Sequence, residues 1–313
     1  MINLFLENMQ SAATQVFTLF IIVAVGFVAD KLGFYTEKTA KACTGLLFYV
    51  ITPVVIVRSF LSMEFSREKL GGFLLALACA IATHLCGILL SLPFFNKGDD
   101  DKNCVYKFAS TFGNMGYMCL PLAQSVVGTE GVFYCSAGVV GYNILAFTYG
   151  SWLMSHKKSG YKFTPKSLFL NPGIIAVIIG LPLFIFGVKL PTVLDSASLH
   201  IANMNSPLAM LILGTYISNA NIKTLFKEKE HYLVLALKQI CMPLIMITAY
   251  RLLGFEGTFL TSIGISCSAP AATNTVMFAA KYDVDSRAAS KVVAFTTFLS
   301  VITMPFMIAY AKL

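Results

Sequence analysis

The chain has 313 residues, of which 57% are apolar and only 12% charged, and it carries a formal net charge of +8. So apolar a composition excludes a water-soluble globule, because most of the outside must face lipid. It also excludes nucleic acid as the reason for the positive charge, since the cations lie in short loops between apolar runs, where they act as topology markers.

A bilayer core takes roughly 20 apolar helical residues to cross. Ten such stretches follow one another, at 12–30, 42–62, 71–95, 105–127, 131–154, 172–188, 199–219, 231–253, 258–280 and 288–311. They predict an all-α polytopic membrane protein with no separate soluble domain. No Lys or Arg precedes the first stretch, so it is expected to be a span and not a cleavable signal peptide. The loops after the odd-numbered spans hold sixteen of the twenty-three Lys and Arg residues, among them Lys31, Lys97, Lys102, Lys107 and Arg287. Cations collect on the cytoplasmic side, which places both termini outside the cytoplasm in a multi-pass protein of the cell membrane. The acidic triplet Asp99-Asp100-Asp101 does not disturb this, because acidic residues contribute little to orientation. The most cationic loop, HKKSGYKFTPKS at 156–167, is read as part of a cytoplasmic linker over 156–169. It either marks topology alone or also touches anionic lipid headgroups.

The chain repeats itself at an offset of 154 residues. Gly26 and Gly33 recur as Gly180 and Gly187, Thr52-Pro53 recurs as Ser206-Pro207, and Asn114 lines up with Ser268. This divides the protein into residues 1–155, with spans one to five, and 170–313, with spans six to ten. Five crossings per copy make the second copy enter from the opposite face, so the repeats are expected to be inverted.

Spans four and nine carry helix breakers at corresponding depth. Gly113, Gly116 and Pro121 interrupt one, and Pro270 with Thr273-Asn274-Thr275 interrupts the other. A proline inside a helix loses a hydrogen bond and clashes with the preceding turn. Unwound backbone at membrane depth is tolerated only in protein or against a wet cavity, so both breaks are expected to meet at one. The helix that resumes after a break aims its free N–H groups and positive dipole end into that cavity, where an anion is the natural guest. Asn114 and Asn274 add carboxamides there, while Ser268, Thr273 and Thr275 either orient a carboxylate or cover loose backbone.

Ionisable and polar residues elsewhere in the spans are few. Lys238 in span eight either balances an anion's charge or snorkels to the interface. His84 in span three is either proton-sensitive or a neutral packing residue. Asn143 in span five faces the cavity or bonds a neighbouring helix. No Asp or Glu lies deep within a span, which argues against cation antiport. No GxxxxGK[ST], HExxH or GxSxG motif is present, so neither ATP bound to this chain nor hydrolytic catalysis is indicated, and no catalytic residue is assigned. The eight cysteines form no CxxC pair and have no His at zinc spacing, so they are read as packing residues and no metal or other cofactor is expected.

Five segments in order carry a family resemblance: VGFVADKLGFYTEKTAKACTGLLFYVITPVVIV, GNMGYMCLPLAQSVVGTEGVF, NPGIIAVIIGLPLFIFGVKLP, NSPLAMLILGTYIS and SAPAATNTVMFAAKY. Over essentially the whole chain the sequence resembles the auxin efflux carrier family, in its bacterial form, whose members include plant PIN proteins and bacterial malate or malonate carriers. The resemblance implies ten helices arranged as in sodium/proton antiporters and bile-acid symporters, with the fourth and ninth crossing at their prolines. It also implies a homodimer in which spans one, two, six and seven form a scaffold, and spans three to five with eight to ten a moving transport domain. Asn114 and Pro121 match the fourth-helix Asn and Pro of the family, and Pro270 the ninth-helix proline. The long cytoplasmic loop of many plant members is absent. The expected function is elevator-type export of a small organic anion, a carboxylate or auxin-like acid. A sodium- or proton-coupled carboxylate symporter and a ligand-binding membrane sensor are the alternatives.

Overall fold

A computed structural model describes residues 2–155, 170–219 and 225–313. The expected linker over 156–169 lies outside them. In chain order the helices are α1 (Ile2–Lys31), α2 (Glu37–Leu61), α3 (Arg67–Ser91), α4 (Asp100–Thr111), α5 (Leu120–Val126), α6 (Thr129–Met154), α7 (Pro172–Ile185), α8 (Thr192–Asn203), α9 (Asn205–Asn219), α10 (Lys229–Leu252), α11 (Gly257–Ser268), α12 (Asn274–Tyr282) and α13 (Ser286–Ala311). Among the described residues, α1, α2, α3, α6, α10 and α13 are each long and apolar enough to cross a membrane unaided. Most of the shorter helices arise where an expected span is interrupted: α4 and α5 share one, as do α8 with α9 and α11 with α12.

Local chemistry explains the boundaries. Gly33 and Gly187 both take positive φ, at 78° and 60°, and end α1 and α7 with the same return of backbone N–H groups to the last turn. Asn171 caps α7 through Oδ1, which accepts from Gly173 N at 2.9 Å, with Pro172 in the first helical position. Among the described residues, three of the four π turns, Leu47–Ile51, Met115–Cys119 and Ala236–Cys241, each lie just ahead of a proline: Pro53, Pro121 and Pro243. A proline has no N–H to close the normal turn and its ring pushes the preceding one open, so the widened turn absorbs it without a break.

α1 runs along α9 and α13, α7 along α2, and α2 touches α8 and α9; α3 packs on α4 and α6, α6 also lies against α2 and α7, and α11 contacts α6, α10 and α13. At the α1–α9 crossing Gly26 and Gly214 bring the two backbones together: a methyl on Gly214 would lie 2.1 Å from the Val23 carbonyl oxygen.

Glu228 joins three elements. It accepts from Lys291 Nζ of α13 at 2.6 Å and from the Tyr106 hydroxyl of α4 at 3.0 Å, and it stands at the N-cap position of α10 without a side-chain capping bond. The Lys291 hydrogen bond above all, with Tyr106 adding to it, holds the Glu228 carboxyl below its usual range. A depressed carboxylate stabilises the fold above its unfolded pKa of about 4.3 and loses that contribution as pH falls through the lower folded value. Glu228→Gln is therefore expected to lower the melting temperature by a constant amount from neutral pH down to about 5. The difference should close below about 4, and thermal scans across pH check it.

Candidate functional site

The two interrupted spans meet at their breaks. Phe112–Asn114 and 269–272 are non-helical, Gly113 and Ala271 pair as in an antiparallel ladder, Asn114 N donates to Pro270 O at 2.8 Å and Ala272 N to Phe112 O at 2.9 Å. Ala271 N donates to Thr296 Oγ1 of α13 at 3.3 Å. Each break thus supplies partners for backbone groups the other leaves free, which is how non-helical backbone becomes affordable away from water. Ala269 has φ −55° and ψ 137°, the extended conformation forced on a residue before proline.

Beside the crossing lies a cavity of about 50 Å³, lined by Asn114, Gly116, Tyr117, Asn143, Thr273 and Asn274, with Phe48 and Thr52 of α2 and Asn171 and Gly173 of α7 closing it. Among the described residues no charged side chain lines it. The N-terminal ends of the π turn leading into α5 and of α12 both open on it. Asn114 is 3% exposed; its Oδ1 accepts from Tyr117 N at 3.1 Å and caps the resumed helix, while its Nδ2 has no hydrogen-bond partner among the described residues. The Tyr142 hydroxyl, turned toward Asn274, likewise has no partner of ordinary geometry. A buried amide donor left unpaired costs about 1–3 kcal/mol, which a bound acceptor would recover. Around them, Asn143 Nδ2 donates to Val139 O at 2.9 Å and Asn143 Oδ1 accepts from Asn171 Nδ2 at 3.0 Å. Asn143 therefore both faces the cavity and bonds a neighbouring helix.

The family model described as membrane transport protein matches residues 11–167 and 159–308. The chain belongs to this family of membrane transporters. Its motif resemblance to the auxin efflux carriers agrees with that membership, and the protein is a multi-pass membrane transporter and not an enzyme. It is 24% identical over 294 residues, 91% of its length and 94% of the relative's, to an uncharacterized transporter of Methanocaldococcus jannaschii. It is also 24% identical over 206 residues, 63% of each chain, to a Rhizobium meliloti protein whose name provisionally assigns it malonate transport.

Within the transporter, Asn114, Gly116, Asn143, Thr273 and Asn274 come together at the cavity, and other expected site residues lie around it. Pro121 is buried in α5 beyond the break, where it opens the turn that carries Gly116 and Tyr117. Pro270 contributes its carbonyl to the crossing and does not line the cavity. Ser268 is still helical and returns its hydroxyl to Gly264 O at 2.7 Å. The 154-residue register sets Asn114 beside Ser268, yet the segments that meet pair Gly113 with Ala271, about one helical turn further on. Thr275 is buried in the first turn of α12, its hydroxyl without a partner among the described residues. His84 lies on the far side of Phe112, its Nδ1 2.7 Å from Ala80 O, beside a second cavity of about 10 Å³, enough for roughly one water. Lys238 faces the crossing and not the lining.

Sequence reasoning did not assign Thr52, Phe48, Tyr117, Tyr142 or Asn171 to the site. Thr52 was visible as part of the repeated Thr-Pro pair, and Asn171-Pro172 as a helix start. Neither signal tells which helix end will face which cavity.

Proposed function

We propose that this transporter exports a small organic anion, a carboxylate of malonate size, by an elevator motion of α3–α6 and α10–α13 against α1, α2 and α7–α9. The observation that carries the reading is the unpaired, buried Asn114 Nδ2 in an uncharged cavity onto which two resumed helices open. Each helix N-terminus presents roughly half a positive charge, so two supply about one, which offsets one of the two charges of a dicarboxylate without any buried Lys or Arg in the lining. A cavity of about 50 Å³ holds roughly four waters, which favours a short dicarboxylate over an indole acid. The name of the Rhizobium meliloti relative points to the same class.

The elevator reading is supported by the composition of the walls: one side comes from α2 and α7, the other from the two breaks and α6. In this reading the ten spans form two inverted five-helix repeats, and the protein is a homodimer in the cell membrane with both termini outside. The homodimer is supported by α8, which has no buried residue and exposes Val193, Leu194 and Leu199. With no carboxylate deep in the spans, the driving force is the substrate gradient with the membrane potential. The potential contributes about 2.3 kcal/mol per charge per 100 mV and favours export when the inside is negative.

The test is current from the purified protein in proteoliposomes on a supported membrane. Malonate should give current with choline as the external cation, and indole-3-acetate should give none. Current that appears only with a sodium or proton gradient would replace this reading with symport. Malonate binding without current would replace it with a sensor.

A further inference from the structure

The cavity receives the N-terminal ends of the broken helices, so their C-terminal ends must face elsewhere. α4 and α11 stop within a few residues of each other at the crossing, and each ends with carbonyl groups that have no helical partner. Roughly half a negative charge sits at each end, about one in total, buried at membrane depth. Half-helix C-termini and unwound carbonyls of this kind are where transporters hold a coupling sodium ion or proton.

Here a side chain already stands there. Lys238 is 1% exposed, and its Nζ donates to Cys267 O in the last turn of α11 at 2.8 Å. It also packs against the break that follows α4, since a methyl on Gly113 would lie 3.1 Å from Nζ. No described carboxylate forms a salt bridge with it. An ammonium taken out of water is costly unless something negative compensates it, and the helix ends are what faces it. The residue projects from the π turn Ala236–Cys241, which Pro243 holds open.

We propose that Lys238 is a tethered counter-cation that occupies the place of a coupling ion, holding the two half-helix C-termini together so that the carrier moves its anion without a sodium ion or proton. It is a positioning residue, since it touches the crossing and not the cavity. The proposal rests on the anion-carrier reading for its transport consequence, but its structural core does not depend on which anion is carried.

The test is therefore made on two readouts with Lys238→Ala and Lys238→Gln. In purified wild-type protein, sodium or methylammonium chloride should leave the melting temperature where choline chloride leaves it. In Lys238→Ala the melting temperature should fall in choline and recover when sodium or methylammonium enters the vacated space. In proteoliposomes the same variant should lose malonate current by roughly tenfold or more in choline and regain it with the small cation. Lys238→Gln, which keeps a donor for Cys267 O and fills the space, should show the loss without the recovery. If it is the only variant that can be purified, its current at or near the wild-type level in choline overturns the proposal. Thermal recovery without malonate current would keep the counter-cation and reject the carboxylate reading. A Lys238→Ala protein with wild-type stability, or one whose loss no small cation restores, overturns the proposal.

Discussion

Asn114→Asp is expected to abolish malonate current while leaving a folded, monodisperse protein. Aspartate is as good an N-cap as asparagine, so the bond from Tyr117 N to the side-chain oxygen survives. What changes is the other half of the carboxamide: the unpaired Nδ2 donor disappears and a negative charge takes its place in the cavity. A hydrogen bond to a charged acceptor contributes about 1.5–3 kcal/mol, equivalent to roughly 10- to 100-fold in affinity, and repulsion adds to that loss. Asn114→Ala should show a loss in that same 10- to 100-fold range and, with the cap gone, about 1 kcal/mol lower stability. Supported-membrane currents and thermal unfolding separate the two effects. Wild-type current from the Asp variant would remove Asn114 from the site.

The largest stability effect is expected far from the cavity. A methyl at position 214 would stand 2.1 Å from Val23 O and 2.7 Å from Phe27 N, and one at 26 would stand 2.4 Å from Leu211 O. These neighbours are backbone, so no side chain can turn aside and one whole helix must shift. Overpacking of this kind costs about 3 kcal/mol, the upper end of its usual range. Small residues that let backbones approach are also what holds membrane helices together without a hydrophobic drive. Gly214→Ala should therefore melt well below the wild type. Gly71→Ala, at a helical position with nothing within 4 Å, is the matched control and should melt with it. Equal melting of the Gly214 variant would mean that the α1–α9 contact is looser than this geometry.

The breaks themselves were readable along the chain, but their causes were only partly so. Pro270 interrupts span nine where the spacing says it should. Pro121 does not interrupt span four: a π turn accommodates it, and the non-helical residues Phe112–Asn114 precede it. The same turn chemistry recurs at Pro53 and Pro243, so a proline in this protein more often widens a helix than ends it. Polar residues at the breaks could be picked out as candidates. Ser268 and Thr275 nevertheless spend their positions inside helical turns, because a slip of about one turn from the 154-residue register moves the second break past Ser268.

What the sequence determined by itself is everything that depends on composition and on spacing within one segment: a lipid-facing chain, the order of apolar stretches, the two interrupted spans, and membership of a transporter family. Helix periodicity and loop charge are local properties, legible without knowing any neighbour. Tertiary structure alone decided which ends meet. It set Asn171 of α7 against Asn143 of α6, closed the cavity with Thr52 of α2, left the Asn114 donor unpaired, and turned Lys238 of α10 to the carbonyl end of α11. Those partners are far apart in the chain or on different elements. Their meeting is fixed by backbone contacts as close as Gly214 on Val23 and by the mutual hydrogen bonding of two unwound turns, neither of which any single segment encodes.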